Sequence, residues 1–381
     1  MAFDIAFFGS SLVSSYWNGA ATYYRGIVRA LAARGHHVTF YEPDAYERQQ
    51  HRDIDDPPWA TVVVYAAEPA AVRAALADAA DARIIIKASG VGVFDGWLEE
   101  NVLDLRAGAS GRGRRVIFWD VDAPATLDRV NGTQDDPFRA LIPGYDAVFT
   151  YGGGTPVVDA YRRLGAAACV PIYNALDPTT HFPEPPDSRF AGSLGFLGNR
   201  LPDREARVEE FFLRPAASAP DETFVLGGAG WDDKPVSGNV RRVGHVYTHD
   251  HNRFNASARA VLNINRESMA RYGHSPATRI FEAAGAGACI ISDPFAGVES
   301  FLEPEREILI AADGRAVSRH LERLTPERAR AIGAAARARV LRQHTYDHRA
   351  AEVEQVLTRL VTTGLVGDVP LAAAAQRDAG A

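Results

Sequence analysis

Arg279 and Glu282 stand three residues apart in the stretch GHSPATRIFEAAGAGACIISD, residues 273–293. Three residues is about one helical turn, so the two charges share a face. Ser275 before Pro276 predicts a helix start, with Ser275 as N-cap, Pro276 at the first helical position and a stop at Gly285 or Gly287. The free amides and positive dipole end of such a start suit an anion such as a diphosphate. Arg279 then reaches phosphate, and the Glu282 carboxylate accepts bonds from ribose hydroxyls. An Arg–Glu surface pair on a capped helix fits the same spacing.

Other polar groups fall at the ends of apolar runs. AVLNINRES places Asn265, Arg266 and Glu267 just upstream of the helix start. LGNRLPDRE offers Gly198, Asn199, Arg200 and Arg204 as a second phosphate clamp, because the guanidinium fork matches phosphate geometry. A loop entering a helix with Asp203 as N-cap needs the same glycine. GGAGW (227–231) and GHV (244–246) end strands; their backbone, with His245 and Val246, can read a nucleobase edge. Trp231 packs beside that base or in the core. WDVDAP brings Asp120 and Asp122 to a strand end, where paired carboxylates supply a general base. They also spell D-x-D, an oxygen-ligand pattern common by chance, and no metal is assigned. Ser10 and Ser11, Lys87 and Ser89, and Tyr151, Gly152 and Gly153 lie in loops after strands of the first half and are candidates to line an acceptor cleft.

The elements that must position these groups follow one grammar twice. In the first half, apolar runs at 3–9, 37–42, 61–66, 83–90, 114–122, 146–152 and 168–174 are separated by Ala/Arg/Leu-rich helical patterns. Apolar runs without alternation, joined by helices, mark a parallel sheet buried on both faces. The Pro-rich passage DPTTHFPEPPDSRF (177–190) reads as an interdomain linker. The grammar restarts with GSLGFLGN, ETFVLGG, VRRVGHV, ARAVLNINR, ACIISD and EILIAAD. The expected division is a first α/β domain over 1–178, a linker at 179–190 and a second α/β domain over 191–345. A helix at 346–364, expected to cross back to the first domain, and a loose tail at 365–381 complete it.

Composition narrows the function. A chain of 381 residues with 46% hydrophobic and 23% charged residues is a two-domain soluble protein by expectation. A net charge of −7 argues against nucleic acid or an anionic membrane as partner, and GRGRR (111–115) reads as a solvated loop. Cys169 and Cys289 sit in apolar runs and read as buried core residues. The N-terminus lacks a basic, long apolar leader and no run reaches membrane-spanning length, so a cytoplasmic location is expected. Hydride chemistry is disfavoured: GSSLVSSYWNGA lacks the triple glycine after the first strand, and Glu42 lies thirty-three residues beyond Gly9. P-loop, H-E-x-x-H and G-x-S-x-G patterns are absent.

GFLGNRLPDRE, GGAGW, VRRVGHV, AVLNINR and TRIFEAAGAGACIISD, in this order and spacing, resemble the CgeB-like glycosyltransferases, relatives of the group 1 glycosyltransferases. YDAVFTYGGGTPVVDAYRRLG and PIYNALDPTTHFP resemble the part preceding that family's transferase domain. The resemblance covers about residues 114–345. It implies a GT-B fold, an α/β architecture of two Rossmann-like α/β/α domains facing a central cleft, with the acceptor mainly on the first and the nucleotide-sugar on the second. It implies no tightly bound cofactor, a UDP- or dTDP-sugar as co-substrate and a small-molecule or glycan acceptor. Glu282 takes the place of the family's ribose-binding glutamate. The family often has a second glutamate eight residues earlier, where this chain has His274. Relatives mostly retain anomeric configuration, with the donor's own phosphate helping to deprotonate the acceptor. Arg200, Arg204, Arg266 and Arg279 would then stabilise the departing diphosphate. On an inverting route Asp122 or Asp120 is the base. A non-catalytic sugar-nucleotide or glycan binder on the same fold, and a nucleotide-sugar epimerase, are the alternatives.

Overall fold

Each of the thirteen expected apolar runs forms a strand in the computed structural model, which describes residues 1–107 and 113–366. The chain divides into two compact units. The first takes Met1–Tyr173 and resumes at Tyr346; the second is Asn174–Thr345.

In the first unit the strands are β1 (Asp4–Phe8), β2 (His37–Asp44), β3 (Thr61–Ala66), β4 (Ile84–Ala88), β5 (Arg115–Asp120), β6 (Ala147–Thr150) and β7 (Cys169–Pro171). They form one parallel sheet in the order β3-β2-β1-β4-β5-β6-β7. β4 and β6 are buried at every position, which is why their sequences are unbroken apolar runs. The helix Ala21–Ala33 packs against the final helix Tyr346–Thr363. Gly26 makes room for this: a Cβ there would sit 2.2 Å from the Tyr346 ring. Arg34 pairs with Glu354 at 2.5 Å across the same contact.

The second unit contains β8 (Gly192–Leu197), β9 (Phe224–Gly227), β10 (Val240–Gly244), β11 (Ala258–Asn263), β12 (Ile290–Ser292) and β13 (Leu309–Ile310). They too are parallel, ordered β10-β9-β8-β11-β12-β13. Residue parity sorts side chains between two apolar layers. Leu194, Phe196, Phe224 and Leu226 join Leu262 and Ile291 on one face, while Val225 joins Phe190, Val246 and Phe254 on the other.

In each sheet the strand order reverses once, between β1 and β4 and between β8 and β11. At such a switch point the loops leaving two neighbouring strands diverge and open a crevice at their carboxyl ends. The loops of Ser10–Ser11 and Ser89, and those of Gly198–Arg200 and Asn265–Arg266, leave the sheets at these places.

The passage 177–190 differs from the expected linker and is part of the second unit. Phe190 is buried in its apolar layer, and Asn252 bonds both the Thr180 carbonyl (3.0 Å) and the Phe182 amide (3.3 Å). Proline excludes regular structure there, but side-chain anchors hold the segment in its place. Cys169 and Cys289 are free and buried, and burial pushes the Cys289 thiol up to about 12. Of GRGRR, Arg114 donates to the Leu105 carbonyl and Arg115 pairs with Asp146, while residues 111 and 112 lie outside the described residues. The expected loose tail beyond residue 366 also lies outside them. No helix among the described residues is long and apolar enough to cross a membrane.

Candidate functional site

Two arginines converge at the switch point of the second unit. A Cβ on Gly198 would lie 3.1 Å from both the Arg204 and the Arg279 Nη2 atoms, so the two guanidinium groups flank the same glycine. Both also lie over the Phe196 ring, with Cζ 5.8 Å and 5.3 Å from its centroid. Phe196 is the buried residue just inside the end of β8, which fixes the place where they meet. Arg204 donates to the Asn199 carbonyl at 2.5 Å. Neither arginine is ion-paired with a carboxylate among the described residues. Burial lowers the Arg204 pKa, and burial together with the Arg204 charge brings Arg279 down to about 10. Two like charges drawn together, neither in an ion pair among the described residues, suit an anion.

The helix carrying Arg279 begins later than expected. It runs Thr278–Gly285, with Ala277 at the N-cap and no side-chain capping bond. Ser275 does not cap it; its hydroxyl donates to the Gly273 carbonyl at 2.9 Å. Pro276 therefore precedes the helix, and Asn174 holds the entry by donating to the Pro276 carbonyl at 3.3 Å. With no side-chain cap and no acidic residue in its first turn, the helix start suits an anion. The surface-pair alternative is not what forms: Arg279 and Glu282 make no ion pair with each other among the described residues. Arg279 turns to Gly198, while the Glu282 carboxylate lies 3.8 Å from His181 Nε2.

The other two arginines are differently engaged. Arg200 pairs with Glu205 at 2.8 Å and Asp233 at 2.9 Å, and Arg266 pairs with Asp203 at 2.6 Å. Asp203 is not an N-cap: the helix Pro202–Val208 has Leu201 in that position. Asn265 belongs to the framework. Its amide and side chain donate to Asp293, which also accepts from Arg207. The Asn199 side chain accepts from the Ala229 amide at 3.0 Å. Trp231 is core, 3% exposed, and donates to the Gly198 carbonyl at 2.8 Å. Val246 is buried, whereas His245 is exposed and meets Tyr247 edge-on at 4.7 Å.

His274 has a left-handed backbone, φ 44°, and its amide donates to the Ala296 carbonyl at 2.6 Å. Its ring rests on Gly297, where a Cβ would come within 2.1 Å of Nδ1 and where φ is 84°. Gly297→Ala is therefore expected to destabilise the fold by about 1–3 kcal/mol through overpacking and the positive φ. Adding His274→Ala should recover the steric part, as denaturant unfolding of both variants will measure. Equal losses in the two would overturn the contact.

In the first unit the candidates are mostly structural. Asp120 is fully buried; Oδ1 accepts from Ser89 Oγ (2.8 Å), Thr126 Oγ1 (3.0 Å) and the Asp122 amide (3.0 Å), and Oδ2 from the Tyr161 hydroxyl. Burial raises its pKa and these donors oppose the shift. Asp122 stands at the N-cap of the helix Ala123–Gly132 without a capping bond. No third ligand joins the D-x-D pair among the described residues. Lys87 is buried against Asp95 (2.6 Å) and Glu99 (3.4 Å). Ser10 donates to Asn18 and Ser11 to Glu42. Gly152 accepts from the Thr150 hydroxyl, Gly153 (φ 93°) enters the helix Gly154–Arg163, and the Tyr151 ring lies 5.9 Å from Tyr23.

Sequence reasoning missed His181 and His251, which flank Glu282. It also missed Trp17, which is 71% exposed on the loop after β1. An exposed tryptophan among the turn-forming residues of SSYWNGA is a signal that could have been read; the two histidines carry no motif.

Residues 204–355 match the model of the glycosyl transferase-like family. Curated proteins give no match. Among solved structures, sucrose-phosphate synthase of Thermosynechococcus elongatus is similar with a TM-score of 0.68 at 16% identity, covering 94% of this chain and 99% of its own. HepE of Anabaena, solved with UDP and glucose, has a TM-score of 0.64 at 14% identity, covering 94% and 100%. An α-glucosyltransferase solved with UDP-glucose and DNA containing an abasic site has a TM-score of 0.67 at 12% identity, covering 94% and 100%. At these identities the likeness is one of fold: two Rossmann-like α/β domains built on parallel sheets. Residues 204–355 are thus glycosyl transferase-like, and the two α/β units have the GT-B fold.

Proposed function

We propose that this chain is a glycosyltransferase that takes sugar from a UDP- or dTDP-sugar and passes it to a small-molecule or glycan acceptor, without a catalytic metal and with retention of anomeric configuration. The observation that carries the reading is the pair of guanidinium groups at Gly198, in no ion pair among the described residues and set beside the uncapped start of the Thr278–Gly285 helix. They receive the diphosphate. As the sugar–phosphate bond breaks, negative charge grows on the departing oxygen, and preorganised cations lower that barrier without reorganising. Glu282, one turn further along the helix, accepts from the ribose hydroxyls. Asp120, its oxygens filled by four donors, does not serve as a base, which leaves Asp122 as the base of an inverting route and the donor's own phosphate as that of the retaining route proposed here. Solved structures of HepE hold UDP and UDP-glucose, and the α-glucosyltransferase holds UDP-glucose, which favours a uridine donor. The order of the R-I-F-E-A, N-I-N-R and G-N-R segments favours the CgeB-like branch. With a net charge of −7 the acceptor is not nucleic acid.

Glu282→Ala should weaken UDP binding by about 1–3 kcal/mol, the range for a lost charged hydrogen bond, as calorimetry will measure. Unchanged affinity would remove Glu282 from the ribose. A donor panel tests the reaction: slow UDP release that rises with acceptor supports transfer. Binding without turnover, or an altered sugar without acceptor, overturns it.

A further inference from the structure

His181, His251 and Glu282 each offer a ligand atom, all within 4.8 Å of one another. They come from three parts of the second unit: the 177–190 segment, the first residue of the helix His251–Ser257, and the Thr278–Gly285 helix. His181 is 3% exposed. The Thr180 hydroxyl lies 3.0 Å from its Nδ1, while Nε2 is buried with no hydrogen-bond partner among the described residues and faces Glu282 Oε1 at 3.8 Å. An unpartnered imidazole nitrogen enclosed beside a carboxylate and a second imidazole asks for an electrophile.

We infer that His181, His251 and Glu282 form a site for a divalent transition metal of the zinc class. Two imidazoles and a carboxylate are a known donor set for zinc with a fourth position open. With metal–ligand bonds of about 2.0–2.2 Å, tetrahedral ligands stand about 3.4 Å apart, so the three need to close by about an ångström. The frame is built to hold them. Gly285 lets the 176–181 segment lie on the helix of Glu282, since a Cβ there would come within 2.3 Å of Leu176 Cδ1 and 2.9 Å of the His181 carbonyl. Asn252, next to His251, ties that segment down through the Thr180 carbonyl and the Phe182 amide. The Val246 carbonyl lies 3.3 Å from His251 Nε2 and orients the second ring. Arg279 is the nearby cation, and its guanidinium is directed to Gly198 instead. The site rests on the proposed role of Glu282 in one respect: a metal that takes this carboxylate removes it from the ribose, so metal and nucleotide exclude each other.

The full chain, stripped with chelator, is titrated with Zn²⁺ by calorimetry and with Co²⁺ by visible absorption, with no nucleotide present. One metal per chain is expected, with a melting temperature that climbs with Zn²⁺ concentration. His251→Ala should lose metal affinity by at least about 100-fold, since loss of a ligand exceeds the cost of losing an outer partner, while His249→Ala, an exposed histidine outside the cluster, should keep it. If His251→Ala melts early on its own, Glu282→Gln serves instead. No binding, or binding that survives these cluster variants, overturns the site. UDP affinity measured with chelator and then with saturating Zn²⁺ tests exclusion; equal values overturn it. Metal binding is read without nucleotide and UDP binding without metal, so failure of the donor reading leaves a separate signature.

Discussion

Arg279→Met is expected to weaken UDP binding about 100-fold while raising the melting temperature. The first effect follows from removing a guanidinium that meets the anion from a half-buried position. Hydrogen bonds to charged groups contribute about 1.5–3 kcal/mol each, and about 3 kcal/mol corresponds to roughly 100-fold. The second follows from the cause of the site. Burial and the Arg204 charge bring the Arg279 pKa down to about 10, so the folded state disfavours the cation relative to the unfolded chain. For a base whose folded pKa is depressed, that penalty is present at every pH below about 10. It fades only as the pH rises from there toward the unfolded value. Methionine removes the charge and keeps the apolar stem over Phe196. Calorimetry with UDP and a thermal melt near pH 7 test both halves. A variant that melts lower would mean that Arg279 holds the fold together, and unchanged UDP affinity would move the anion elsewhere.

Asp120→Ala should destabilise the protein by about 3–5 kcal/mol, whereas Asp120→Asn should leave transfer within a few-fold of the parent. The alanine strands the buried donors of Ser89, Thr126 and Tyr161 together with the Asp122 amide. Loss of one partner in a buried network carries the full desolvation cost of what remains. Asparagine keeps Oδ1, which accepts three of the four bonds, and its amide can donate to the Tyr161 oxygen. A general base would give the opposite pattern, since asparagine cannot take a proton. Chemical denaturation and steady-state turnover on the two variants separate the roles. A collapse of kcat in a stable Asp120→Asn protein would restore Asp120 as the base.

Much of the fold is legible in the residues. The unbroken apolar runs of IIIKA and AVFT are the mark of strands covered on both faces, and both are buried throughout. The Pro-rich passage 177–190 misleads because proline excludes helix and sheet without saying whether the chain is packed. Here the partners are Asn252 and the layer around Phe190, distant in sequence. The helix of Arg279 was placed correctly and started too early, because Ser–Pro is a good local start signal. The Ser275 hydroxyl has a nearer acceptor in the Gly273 carbonyl.

The site divides along the same line. Residue type and order put forward Arg200, Arg204, Arg266, Arg279 and Glu282 alike as candidates to hold a nucleotide, since their positions relative to strand ends are local properties of the chain. Only the tertiary structure decides which charges are already neutralised. Arg200 and Arg266 find carboxylates, while Arg204 and Arg279 are drawn over Phe196 to one glycine. It alone brings His181 and His251 to Glu282, and it seals Asp120 among four donors. Pairing and burial depend on what the fold carries in from elsewhere in the chain, and spacing holds no record of that.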